Sequence, residues 1–241
     1  VFEARHIRGI IHLAAILPTA AQREPVRATR VNIEGSLNLL EQARRFGVQR
    51  MVFGSSLSVY GTGSGDEVVS ETERAAPEDL YAAAKLYVEQ LGAAYRHQFG
   101  LEFVSLRIGR VVGPGARSVS SAWRSEIFEF LGTMQATEIA VPYLGSERIL
   151  LVNIGDVAGM LVALLDAACP ARSIYNAVCE SVVVGDLKRE LQALNPNLSI
   201  KLGETRALGN PRQLDSSRLR QEFGIQTLPL FEQLKNARMN S

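Results

Sequence analysis

Cysteine is nearly missing from this chain. Two occur among 241 residues, Cys169 and Cys179, too few and wrongly spaced for a disulfide framework or a zinc module. That usage suits a reducing compartment, and a cytoplasmic location is the expectation. Long apolar runs are missing as well: none approaches the ~18 residues of a membrane span, and no basic-then-apolar leader opens the chain. An excess of either charge is also missing, since 26 basic residues balance 25 acidic ones to a net +1. Nothing in the bulk electrostatics therefore calls for nucleic acid or an anionic membrane as partner. No set of His, Cys, Asp and Glu has metal-ligand spacing, so no metal is expected, and the lone His12 reads as structural.

What is present is material for one substantial α/β core with a small appended lobe: 46% of the residues are hydrophobic and 21% charged. Ile10 to Ala14 is a short apolar run bounded by Gly9, the pattern of a buried parallel strand. From Pro25 to Phe46 the apolar residues Val26, Ile33, Leu37, Leu40 and Ala43 recur at helical spacing, and Gly47 is the stop. Met51 to Gly54 is the next strand and ends in the hydroxyls of Ser55 and Ser56. Residues 62–76 read as a surface loop. A second helix begins near Glu78 and runs to Gly100, and a strand follows over Leu101 to Leu106. Further on, Leu187 to Leu194 reads as a helix.

The chemistry centres on Tyr81-Ala82-Ala83-Ala84-Lys85. A spacing of four on a helix puts both side chains on one face. A free phenol titrates near pH ~10, and a neighbouring ammonium favours its phenolate. Tyr81 is thus a candidate general acid or base, with Lys85 expected to lower its pKa.

The segment Ser55-Ser56-Leu57-Ser58-Val59-Tyr60-Gly61 at a strand end, followed by Tyr81-x-x-x-Lys85, resembles the extended short-chain dehydrogenase/reductase family of NAD(P)-dependent epimerases and dehydratases. The resemblance extends to His12-Leu13-Ala14-Ala15, to Asn32-x-x-Gly35 and to Arg107 through Pro114. It implies a Rossmann-type doubly wound parallel sheet lacking its first strands, with a small α/β substrate lobe. Residues 1–115 would carry the C-terminal half of the core, and 116–241 mainly the lobe, with elements returning to the core. The resemblance also implies a strand at Leu150 to Ile154, a helix over Met160 to Ala168 with Asp156 as its N-cap, and a small strand at Ile174 to Ala177. Two βα units of roughly 30 residues each would precede Val1. With them would come the Gly-x-x-Gly-x-x-Gly phosphate turn, which follows no strand here.

By the same resemblance, Ser56, Tyr81, Lys85 and Asn32 are the catalytic group. Leu13, Ala14, Ala15, Ser55, Tyr81, Lys85 and Ile108 would meet NAD or NADP. Ser56 and Arg110 would meet a small-molecule substrate; beyond Ala116 the resemblance thins, and there the side chains themselves (the hydroxyls of Ser118, Ser120 and Ser121, the Trp123 ring and the Arg124 cation) offer a kit for a sugar or phosphate. A homodimer through the two central helices is a further implication. The chain departs from the family where Arg110 and Val112 replace an Asn and a Tyr. It also has Leu57 and Ser58 where dehydratases place carboxyl side chains. Hydride transfer in an oxidoreductase or epimerase is therefore expected over loss of water. The alternative is a non-catalytic binding or regulatory protein, or an inactive fragment, on the same scaffold.

Overall fold

The computed structural model describes residues 7–63, 67–115 and 121–239. In chain order its elements are β1 (Gly9–His12), α1 (Pro18–Arg23), α2 (Pro25–Thr29), a π-helical turn over Arg30–Glu34, α3 (Gly35–Arg45), β2 (Arg50–Ser56), a 3-10 turn over Leu57–Tyr60, β3 (Val68–Val69), α4 (Leu80–Phe99) and β4 (Glu102–Ile108). The second half adds β5 (Arg110–Val112), α5 (Trp123–Glu129), β6 (Thr137–Tyr143), β7 (Arg148–Asn153), α6 (Ile154–Asp166), β8 (Ile174–Asn176), β9 (Glu180–Val183), α7 (Val184–Leu194), β10 (Leu198–Thr205), β11 (Gln213–Leu214), α8 (Ser217–Phe223) and α9 (Leu230–Met239).

Four strands pair in the order β1-β2-β4-β8, all parallel. Parallel strands need helical crossovers, and these cover both faces. Alternation along the strands decides which residue meets which helix. Met51 and Phe53 of β2 and Phe103 of β4 join Leu40, Ala43 and Val88 from α3 and α4. Val52, Val104 and Leu106 join Val157, Met160, Leu161 and Leu164 of α6 and Leu219 of α8 on the other face. This is the doubly wound α/β arrangement. Helix α4 lies so close to the sheet that a methyl group on Gly92 would fall 2.2 Å from the Phe103 ring. Only glycine permits that approach.

Arg50, buried at the start of β2, pairs with Glu102 at 2.5 Å. It also donates to the carbonyls of Leu164, Leu165, Ala167 and Ala168. One guanidinium thereby satisfies the orphan carbonyls at the C-terminal end of α6.

Several boundaries differ from the sequence reading. The strand expected at Ile10 to Ala14 stops at His12, and α1 follows with Pro18 at its first turn. Strand β3 sits inside the expected 62–76 loop and pairs with β11. The cap of α6 is Asn153, whose side chain accepts from the Gly155 N–H at 2.7 Å. Asp156, expected there, lies one turn inside and accepts from Gln233 at 2.8 Å.

The lobe has its own core. Strands β5, β7 and β9 form one small sheet, and β6 with β10 another. Trp123, Ile127, Phe128 and Leu131 pack there with Ile139, Val141, Ile149 and Leu187. Val112, ahead of residue 116, belongs to this cluster, whereas α6, β8 and α8 pack on the central sheet. Among the described residues, no helix is long and apolar enough to cross a membrane, and no three His, Cys, Asp or Glu side chains gather as metal ligands.

Candidate active site

All four central strands end on one edge, and ligands of open parallel sheets bind at that carboxyl edge. Strand β2 delivers Ser56 to it. The Ser56 hydroxyl caps the 3-10 turn, accepting from the Ser58 N–H at 3.2 Å and from the Ser58 hydroxyl at 2.8 Å. Helix α4 starts beside it because the Asp79 side chain accepts from the Ala82 N–H at 2.7 Å. Tyr81 thus lies in the first turn and Lys85 one turn later. The Ser56 hydroxyl acts on the Tyr81 phenol and favours its ionised form. The Lys85 ammonium, 4% exposed, donates to the Gly54 carbonyl at 2.6 Å and sits 5.5 Å from the centre of the Tyr81 ring. Ser56, Tyr81 and Lys85 are therefore brought together.

The electrostatics correct one expectation. Burial pushes the Tyr81 phenol up to about 12, with Asp79 adding to the rise and Ser56 and Arg124 opposing it. Lys85 has no resolved effect on the phenol; its ammonium donates to the Gly54 carbonyl. Lys85 itself is lowered to about 8 by burial, against the pull of Glu89. His12, hydrogen-bonded to Ser36 at 2.8 Å, is lowered to about 4 by burial and by Lys85. It is neutral at pH 7.

Ser55 corrects another. Alternation turns its side chain toward α4, where the hydroxyl donates to Glu89 at 2.5 Å with the residue only 3% exposed. That hydroxyl is not available to a cofactor. Arg107 of β4 faces the same way and pairs with Glu89 at 2.7 and 3.0 Å. Its guanidinium lies 4.6 Å from the Tyr60 ring, and the Tyr60 phenol donates to Asn176 at 2.7 Å. Sequence reasoning passed over Glu89, Arg107, Tyr60 and Asn176 as a network. The available signal was a carboxylate one helical turn after Lys85 on the inward face and an arginine inside an apolar strand.

Asn32 is buried in the π-helical turn. Its side-chain amide accepts from the Ile16 N–H at 2.7 Å and donates to the Ile16 carbonyl at 3.0 Å. It thereby holds the loop after β1, which carries Leu13, Ala14 and Ala15. On that loop Leu13 is 53% exposed, and a methyl group on Gly54 would fall 2.5 Å from the Leu13 side chain and 3.6 Å from Ile108. Ala14 is exposed and Ala15 half-buried. This apolar, small-residue floor next to a lysine fits the nicotinamide and ribose end of a dinucleotide. No glycine-rich phosphate turn accompanies it among the described residues.

Arg110 opens β5, and Trp123 and Arg124 lie in the first turn of α5. Trp123 is buried in the lobe core, its ring edge-on to Tyr143 at 6.3 Å, so it is packed into that core rather than offering a free stacking face. Ser118 and Ser120 lie outside the described residues.

A parallel doubly wound sheet with Ser, Tyr and Lys converging at its carboxyl edge defines the class of NAD(P)-dependent short-chain oxidoreductases and epimerases. The model of the NAD dependent epimerase/dehydratase family matches residues 1–177, and the chain belongs to that family. It is 36% identical over 125 residues to UDP-glucuronate 4-epimerase of Thermodesulfobacterium geofontis, covering 52% of this chain and 38% of that protein. To uronate dehydrogenase of Pseudomonas syringae pv. tomato it is 29% identical over 140 residues, covering 58% of this chain and 49% of that protein. The chain therefore spans less than half the length of either relative. Among solved structures, a GalE-like L-threonine dehydrogenase from Cupriavidus necator superposes with a TM-score of 0.88 at 20% identity, over 99% of this chain and 80% of that one. A UDP-glucose 4-epimerase from Thermotoga maritima, solved with UDP-glucose, gives a TM-score of 0.83 at 23% identity over 99% of this chain and 78% of that one. At those identities the likeness is one of fold.

Proposed function

We propose that this chain carries the reaction centre of an NAD(P)-dependent oxidoreductase or epimerase acting on a sugar, a sugar nucleotide or a small hydroxy or oxo compound. The observation that supports it most is the meeting of Ser56, Tyr81 and Lys85 at the carboxyl edge of the sheet, with the Lys85 ammonium 5.5 Å from the centre of the Tyr81 ring. A substrate hydroxyl in the cleft would bond to Ser56 and present its proton to Tyr81. A bound dinucleotide supplies the hydride acceptor or donor. Burial alone holds the phenol too basic to ionise at neutrality, so its ionised form would draw on the Lys85 and Arg124 cations as the cleft fills. Lys85, anchored at Gly54, would offer its remaining N–H donors to a ribose, and Leu13, Ala14, Ala15 and Ile108 would form the floor under the nicotinamide. Leu57 and Ser58 offer no carboxyl group next to Ser56, which favours redox or epimerising chemistry over elimination. Relatives named for oxidation and for epimerisation both occur, in keeping with that choice.

Replacing Tyr81 by Phe tests the reading. The proton relay predicts a fall in turnover of about a hundredfold or more, with dinucleotide affinity by calorimetry retained. Unchanged turnover would remove Tyr81 as the acid/base.

A further inference from the structure

Hydride transfer with a phenol as acid or base calls for no carboxylate, yet one is fully buried a helical turn from Lys85. Tyr81, Lys85 and Glu89 follow one another at spacings of four along α4, so all three share the face turned to the sheet. Lys85 donates to the Gly54 carbonyl at 2.6 Å, and Glu89 accepts from the hydroxyl of the next residue, Ser55, at 2.5 Å. Consecutive residues of a strand rise only about 3.3 Å, so ammonium and carboxylate are gathered against one short stretch of β2. The carboxylate cannot swing away. Its Oε1 also accepts from Arg107 Nε at 3.0 Å and its Oε2 from Arg107 Nη2 at 2.7 Å, and Arg107 lies opposite Ser55 in the register of β2 and β4. The ammonium is held as closely, with the centre of the Phe53 ring 4.5 Å away and that of the Tyr81 ring 5.5 Å away. A buried ammonium without a counter-charge gives up its proton.

Resting on the oxidoreductase reading, we propose that Glu89 is a positioning residue of the reaction centre. Its carboxylate, fixed by Ser55 and Arg107, is the counter-charge that keeps the Lys85 ammonium protonated and seated on Gly54. Burial drives Lys85 toward its neutral amine, and Glu89 pulls the other way, acting across the Gly54–Ser55 peptide. A neutral amine would lose the charge that favours a phenolate at Tyr81, and one of the N–H donors offered to a ribose. The other titratable and charged groups around Lys85 cannot stand in for Glu89. His12 of β1 is held at about 4 and Tyr81 of α4 at about 12, so both are neutral at pH 7, and Arg107 of β4 carries the wrong sign. Apolar side chains of like volume would join helix to sheet without the desolvation that a buried ion pair costs. A fixed negative charge at this point is what they could not provide.

The amine can be read directly, because the chain has only Lys85, Lys188, Lys201 and Lys235 as lysines. With lysine labelled by carbon-13 at Cε, the titration of each is followed by NMR in the whole chain, and the Lys85 line is the one missing from Lys85→Arg. Lys85 should titrate near 8 in the parent, and Glu89→Gln should lower that midpoint by about one pH unit or more. A carboxylate that merely joins helix to sheet predicts the opposite sign, because loosening admits water and returns Lys85 toward its ordinary 10.5. The double variant Glu89→Gln with Arg107→Gln leaves no stranded cation, and it should lower the midpoint as well. An unchanged or raised midpoint in a variant shown folded by circular dichroism overturns the proposal. If neither variant folds, Glu89 belongs to the scaffold and the proposal is overturned too. A lowered midpoint together with unchanged turnover in Tyr81→Phe keeps the counter-charge and removes the hydride-transfer reading. A raised midpoint together with a damaging Tyr81→Phe does the reverse.

Discussion

The molecule holds two interiors built on opposite plans. Beneath Tyr81 the central sheet buries a chain of polar groups, Ser55 to Glu89 to Arg107, then Tyr60 to Asn176. The lobe buries Trp123, Ile127, Phe128, Leu131 and their apolar neighbours as one cluster, with Asn195 and Glu147 binding backbone groups at its margin. A polar interior is sensitive to the loss of one member, because the partner left behind is a charge or donor without water. An apolar interior loses stability only in proportion to the atoms removed. The contrast shows where this chain invests its specificity: the reacting edge is fixed by directional bonds, and the lobe by volume.

The largest test of that contrast is Glu89→Gln. It strands Arg107, whose side chain is 4% exposed, and should cost about 3–5 kcal/mol in urea unfolding. A loss below about 1 kcal/mol would put the polar interior on the same footing as the lobe. Next comes the acid response of the same region. His12 is held near 4, below its ordinary value of 6.5. Between those values the unfolded chain takes up a proton that the folded chain refuses. Stability should therefore drop as pH falls from 6.5 toward 4, by roughly 3 kcal/mol in all. Denaturation midpoints measured for the parent and for His12→Gln should diverge over that window, and parallel curves would contradict the assignment.

In the lobe, Ile127→Val removes one buried methylene and should cost about 1 kcal/mol by the same unfolding assay. Smallest of all is Arg189→Ala. It breaks the exposed 2.5 Å pair with Asp186 and should stay within about 0.5 kcal/mol of the parent. A larger loss there would mean that surface pairs matter as much as buried ones.

Periodicity made the two central helices and the strands β1, β2 and β4 legible in the sequence, because burying one face imposes a period that can be counted. The strand-end hydroxyls and the Tyr81–Lys85 spacing were legible for the same reason: both depend on local geometry alone. What escaped depends on contacts between distant segments. Neither the pairing of Glu89 with Arg107 nor the turn of Ser55 toward α4 follows from one strand or helix taken by itself. The cap of α6 is a subtler case. Asn153 and Asp156 are both good capping residues, and only the backbone turn at Asn153 decides between them. The direction of the Lys85 ammonium likewise follows from the closeness of the Gly54 carbonyl, which spacing on a helix does not encode.

The two-point grip of Asn32 on Ile16 has a mechanical consequence. Since one side-chain amide holds both the N–H and the carbonyl of a single loop residue, and Ser36 fastens the Asn32 carbonyl at 2.7 Å while bonding His12, the segment from His12 to Ile16 and the π-helical turn form a single gear. A tilt of that helical segment is therefore passed to the loop that carries Leu13, Ala14 and Ala15, the residues proposed to meet the dinucleotide.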